Sequence, residues 1–165
     1  MKTLYLIRHA KSDWNHDGLS DIDRPLNARG YRDADSMSKL VKEKKIIPDL
    51  IITSPAIRAI STALIFCRNL NVQYADIIIN PDLYESTVKQ YQQVVAKTDN
   101  RFKSVMLFGH NPVITNFANS LTTSFTDSMS TCAIVGIHSA DRNDWKEFNG
   151  IASELILYDF PKKHS

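Results

Sequence analysis

Residues 3–14 read TLYLIRHAKSDW, and this stretch decides how the rest of the chain is understood. Leu4 to Ile7 form a short apolar run of the length and kind that buries as a strand. The run ends on Arg8 and His9, two side chains that ordinarily carry charge and seek hydrogen bonds. In open α/β sheets, ligands sit outside the carboxyl ends of parallel strands, where loops lead into helix N-termini. A strand that delivers an arginine and a histidine to such an edge implies that something anionic is handled there.

Similar apolar runs rich in β-branched residues recur at Leu50 to Thr53, Ile77 to Ile79, Val105 to Phe108, Ala133 to Ile137 and Leu155 to Tyr158. The segments between most of them have helical period. Ala34, Met37 and Val41 make one inner face. Ile57, Ile60, Leu64 and Cys67 make a second and put Cys67 in the core. Val88, Tyr91 and Val95 make a third, and Ile114, Phe117, Ala118 and Leu121 a fourth. Four strands each followed by a helix predict parallel pairing through right-handed crossovers. The last third differs: DRNDWKEFNGIASELILYDF shows an Asn149-Gly150 turn signal and no helix, which predicts a terminal meander with an antiparallel edge strand. The expected fold class is α/β, a three-layer α/β/α sandwich with a mostly parallel sheet, in one domain over residues 1–165.

With 20 Lys+Arg against 18 Asp+Glu the net charge is +2, and 43% of the residues are hydrophobic. No broad basic field draws the chain to nucleic acid or to an anionic membrane, so neither partner is expected. The apolar run near Met1 is too short for a signal peptide or a membrane span, and the expected location is the cytoplasm. Cys67 and Cys132 lack metal-ligand spacing and read as two buried thiols. Trp14 and Trp145 read as partly buried anchors, with Trp14 close enough to the first strand's end to wall the pocket. A monomer is the default expectation.

After the second strand come Thr53, Ser54 and Pro55, with Arg58 one turn into the next helix. Pro81 to Glu85 follow the third strand, and Gly109, His110, Asn111 and Pro112 follow the fourth. Topology thus gathers two histidines, two arginines and a glutamate on one sheet edge. Guanidinium forks match phosphate oxygens in pairs. No glycine-rich nucleotide cradle is present, so the expected ligand is a phosphoryl group and not a whole nucleotide. Neutral imidazole attacks phosphorus when a backbone acceptor holds its other nitrogen, and the neighbouring arginines are expected to depress its pKa. Arginines in the pocket would repel a cation, so no metal and no cofactor are expected.

Taken together, LIRHAKS, DRPLNARG, TSPAIRAISTA, PDLYES and FGHNPVI resemble, in order and spacing, the motifs of the histidine phosphatase superfamily, the phosphoglycerate mutase-like group. The short chain with its RPL and GHNP elements is most similar to the SixA-type phosphohistidine phosphatases. The resemblance spans positions 4 to 114. It implies that His9 is the nucleophile, that Arg8 and Arg58 bind the phosphoryl oxygens, and that His110 contacts the same group and stabilises transition-state charge. It further implies that Arg24 lies near the pocket mouth, and Asn111 is expected to offer a backbone N–H. Glu85 matches the general acid of the mutase branch, whereas SixA-like chains often have no acid at this place.

What the resemblance implies is a metal-independent phosphatase acting on phosphohistidine in a partner protein through a phospho-His9 intermediate. The absence of visible insertions over the pocket favours a protein substrate. Two alternatives stand beside it: a phosphatase or mutase of small phosphoesters with Glu85 as acid, and a phosphate-binding module that turns nothing over.

Overall fold

A computed structural model describes residues 1–149 and 153–165 of the chain. Strands β1 (Lys2–Arg8), β2 (Leu50–Thr53), β3 (Ile77–Ile79) and β4 (Ser104–Gly109) alternate with helices α1 (Ala28–Glu43), α2 (Ile57–Asn69), α3 (Val88–Ala96) and α4 (Val113–Leu121). Strands β5 (Ile134–Ser139) and β6 (Glu154–Asp159) follow. The described strands form one sheet in the order β3-β2-β4-β1-β5-β6. Strands β3, β2, β4 and β1 pair in parallel. β5 runs antiparallel to β1, and β6, at the edge, antiparallel to β5. The expected turn at Asn149-Gly150 falls on residue 150, outside the described residues.

Alternation along each strand sends side chains to opposite faces. Leu4, Leu6, Leu50, Ile52, Val105 and Leu107 meet Tyr91, Val94, Ile114 and Phe117 from α3 and α4. Tyr5, Ile7, Ile51, Met106 and Phe108 meet Ala34, Met37, Ala63 and Phe66 from α1 and α2 on the other side. This gives the three layers expected from the sequence. At roughly 1.5–3 kcal/mol for a fully buried large apolar side chain, these two layers dominate the folding free energy.

Local signals set the helix starts. Asn27 caps α1 by accepting from the Gly30 N–H at 2.8 Å, and Thr87 caps α3 by accepting from the Gln90 N–H at 3.2 Å. Gly30 is also required by contact, since a Cβ there would lie 2.1 Å from the Lys11 carbonyl oxygen. That close approach presses the start of α1 against the segment that follows His9.

Two expectations need correction. On α2, Ile57 and Leu64 face solvent, at 39% and 40% exposure, while Ala59, Ala63, Phe66 and Cys67 are buried. Both stripes have helical spacing and share Cys67, and apolarity alone prefers Ile and Leu over Ala. The helix instead turns its small residues and Phe66 inward, with the Phe66 ring edge-on to Phe108, and this rotation also buries Arg58 at 6% exposure. Trp145 is wholly buried, its indole N–H donating to the Phe102 carbonyl. Cys67 and Cys132 are buried free thiols. Among the described residues no helix is long and apolar enough to cross a membrane.

Candidate active site

The register of the sheet explains why two distant histidines meet. Arg8 on β1 pairs with Gly109 on β4, so His9 and His110 are the next residues beyond two adjacent, parallel strand ends. The His9 N–H donates to the Gly109 carbonyl at 3.1 Å, and the ring centroids stand 5.2 Å apart. β2 lies on the other side of β4, and the Ser54 N–H donates to the Phe108 carbonyl. Ser54 Oγ then reaches His110 Nε2 at 2.7 Å. Gly109 is a glycine because a Cβ would lie 2.3 Å from the Tyr91 hydroxyl. That hydroxyl accepts from the His110 N–H and donates to the Leu83 carbonyl, fixing the turn.

His9 is 7% exposed, and its Nδ1 lies 2.7 Å from the Ala10 carbonyl oxygen. A carbonyl only accepts, so Nδ1 carries the proton and the Nε2 lone pair is free. The Ala10 N–H in turn donates to Thr62 Oγ1, whose hydroxyl donates to the Arg58 carbonyl. Burial, followed by His110, Arg58 and Arg8, lowers the His9 pKa to about 3. Low solvation, not the arginines expected from the sequence, is thus the leading cause. His110 falls to about 4, again by burial first and then by Arg58.

Arg8, Lys11, Ser12, Trp14, Asp21, Arg24, Arg58, His110, Asn111 and Thr131 join His9 in lining a cleft of 270 Å³. Arg8 donates to the Met129 carbonyl, which also accepts from the Asn111 side-chain amide. Asn111 Oδ1 accepts from Thr115, and Thr115 Oγ1 accepts from the Met129 N–H. The Asn111 side chain therefore braces the loop that holds Arg8. Arg8 Nε, Arg58 Nε and His110 Nδ1 are buried without a hydrogen-bond partner. Unmade hydrogen bonds of buried groups cost about 1–3 kcal/mol each, and their gathering at one cleft marks it as built for chemistry more than for stability.

Asp21 was not foreseen from the sequence. Its Oδ2 accepts from Arg58 at 3.0 Å and from the Tyr84 hydroxyl at 2.6 Å, and its Oδ1 accepts from Arg24 at 3.0 Å. The Tyr84 hydrogen bond, then those of Arg58 and Arg24, hold its carboxyl below the usual range. Burial and the bond to Asp21 push Tyr84 up to about 12. A buried arginine requires an anionic answer, and that rule is the only signal by which Asp21, three residues before Arg24, could have been sought. Ser12 Oγ accepts from Arg24 at 2.7 Å.

Glu85 is the predicted site residue that the cleft does not gather. It is exposed, it adopts a left-handed backbone at φ 48°, and it is absent from the residues lining the cleft. The preceding residue, Tyr84, puts its ring edge-on to His110 instead. Of the remaining histidines, His16 lies 3.1 Å from Asp13, His164 2.6 Å from Asp159, and His138 bonds to Thr3. Among the described residues no three of His, Cys, Asp and Glu group as metal ligands.

The depressed imidazoles carry a stability consequence. Between the ordinary value of 6.5 and the folded values near 4 and 3, the unfolded chain binds protons that the folded one does not. Stability from these two groups is therefore complete above pH 6.5 and lost on acidification, at about 1.4 kcal/mol per group and pH unit. Urea unfolding at pH 7 and 5.5 is expected to show this loss. His110→Gln should reduce the slope by about one proton, and equal stability at both pH values would contradict the assignment.

The sequence profile described as Histidine phosphatase superfamily (branch 1) matches residues 4–110. Phosphoglycerate mutase 1 of Saccharomyces cerevisiae is 43% identical over 78 residues, which cover 46% of this chain but only 30% of the mutase. The match thus spans less than a third of that relative's length. Among solved structures, SixA of Agrobacterium tumefaciens superposes with a TM-score of 0.80 at 25% identity, covering 97% of this chain and 98% of that one. The protein histidine phosphatase SixA solved with tungstate gives 0.82 at 22% identity, covering 99% of both chains. The fold is thereby that of phosphoglycerate mutase-like histidine phosphatases.

Proposed function

The chain belongs to the histidine phosphatase superfamily, branch 1, whose members are phosphatases and mutases, and from that premise we propose that it hydrolyses phosphohistidine on a partner protein. The observation that carries this reading is His9 itself: neutral, proton held on Nδ1 by the Ala10 carbonyl, and set among the guanidinium groups of Arg8 and Arg58.

In the proposed reaction the His9 Nε2 lone pair forms a bond to phosphorus, and the bond from phosphorus to the substrate nitrogen breaks with its electron pair going to that nitrogen. Where the substrate's other ring nitrogen carries a proton, it departs as neutral imidazole and needs no acid. Water then attacks phospho-His9, yielding inorganic phosphate and restoring the Nε2 lone pair, while its proton passes to phosphate or solvent. Arg8, Arg58 and His110 stabilise the phosphoryl oxygens, and Arg24 adds positive charge at the mouth. Asn111 serves through its side chain by holding the Met129 carbonyl and so Arg8. A neighbour of the same fold that binds tungstate, a tetrahedral oxyanion, is consistent with an oxyanion here.

A mutase relative keeps small phosphoesters in view. Expelling an alkoxide requires proton donation, and Glu85 is the residue that would supply it. Its exposed position outside the cleft lining favours the nitrogen leaving group. Phosphate release from a phosphohistidine protein and from an alkyl phosphate is the test. Wild type should turn over the first far faster, and Glu85→Gln should slow it by less than about threefold. A tenfold or larger loss on phosphohistidine would overturn the acid-independent departure, and a wild type that turns over the alkyl phosphate faster and loses that activity in Glu85→Gln would favour the phosphoester reading. A binding module would release phosphate from neither.

A further inference from the structure

Trp14 is the most exposed large hydrophobic residue among the described residues, at 72%, and it lines the same cleft as His9. Single exposed apolar residues are common, but this one is not free to wander. The Arg24 guanidinium carbon stands 3.5 Å over the indole, at stacking distance. Arg24 is itself 8% exposed and anchored, donating to Asp21 Oδ1 at 3.0 Å and to Ser12 Oγ at 2.7 Å. Ser12 follows His9 by three residues, and Asp21 also holds Arg58. The indole plane is thus tied through fixed groups to the phosphoryl-binding arginine, with one face covered by Arg24 and the other left to solvent.

A flat, electron-rich surface held rigid beside a phosphoryl site has one chemical use that an aliphatic wall lacks: it stacks a planar ring. We propose that the open face of Trp14, clamped by Arg24, is a subsite for the planar ring from which the phosphoryl group departs, an imidazole or a phenyl. This deepens the phosphohistidine reading and rests on it for the identity of the ring. Stacking would orient the breaking bond toward His9 and give an aromatic leaving group an advantage over an amine or an alkoxide.

Binding separates this subsite from the chemistry. Calorimetry with phenylphosphonate and methylphosphonate, which share one PO3 head and are not hydrolysed, should show the phenyl compound binding about tenfold more tightly to wild type. Trp14→Ala should remove that preference, and Trp14→Phe should keep most of it. In parallel, hydrolysis of phosphoimidazole and of phosphoramidate, both with a phosphorus–nitrogen bond, should show their kcat/KM ratio falling about tenfold in Trp14→Ala. Equal affinity of wild type for the two phosphonates, or an unchanged preference in Trp14→Ala, would overturn the subsite. A wild type that prefers phenylphosphonate but hydrolyses neither substrate would support the ring subsite and overturn the phosphatase reading.

Discussion

His9→Ala is expected to lower phosphohistidine hydrolysis by about 10⁴-fold or more and to leave no covalent phosphoryl label on the protein. Among the described residues no neighbouring group is placed to take over. Cys132 is fully buried, with its thiol pushed up by desolvation. Ser54 Oγ is bonded to His110. His110 has no acceptor at Nδ1 to fix its ring proton there. His9 combines a fixed proton at Nδ1 with an imidazole kept neutral at physiological pH, since burial lowers its pKa to about 3. Rapid mixing with a radiolabelled phosphohistidine protein followed by alkaline gel electrophoresis would reveal an acid-labile, base-stable label in wild type and none in the variant. A label of equal intensity on His9→Ala would remove the proposed nucleophile.

Arg58→Lys should cost about 10² to 10³ in kcat/KM, the range for losing one donor aimed at developing charge. The charge survives this substitution, so the loss isolates geometry. Arg58 donates from one terminal nitrogen to the Asp21 carbonyl and from the other to Asp21 Oδ2, at 2.7 and 3.0 Å. An ammonium cannot hold Asp21 and a phosphoryl oxygen in the same fork. Arg58→Met goes further and removes the charge which, after burial, depresses His110. The acid limb of the pH–rate profile should therefore move upward in Met but not in Lys. A loss below about tenfold in both variants would show that Arg58 is a structural partner of Asp21 and little more.

These two expectations draw on different kinds of information. Arg8, His9, Arg58 and His110 were legible in the sequence because each follows a recognisable strand or opens a recognisable helix, and the periods of 2 and 3.6 locate such places. Asp21 and Tyr84 were not legible. Asp21 sits in a short 3-10 turn, Asp21–Asp23, before α1 and Tyr84 beyond β3, 63 residues away, yet the two bond at 2.6 Å. The rotation of α2 was misread because Ala59 and Ala63 are weakly apolar, and only close packing decides that small residues face inward.

By itself the sequence determined the alternation of strands and helices, the residue types available for phosphoryl chemistry and the strand ends that carry them. Strand order was decided by the tertiary structure: β4 enters between β2 and β1, and that insertion puts His110 beside His9. Which carboxylate answers the buried arginines, and which side chain after β3 meets His110, were decided there as well. The physical reason is that local periodicity encodes burial along one element, whereas adjacency between elements depends on packing energies summed over both faces of the sheet.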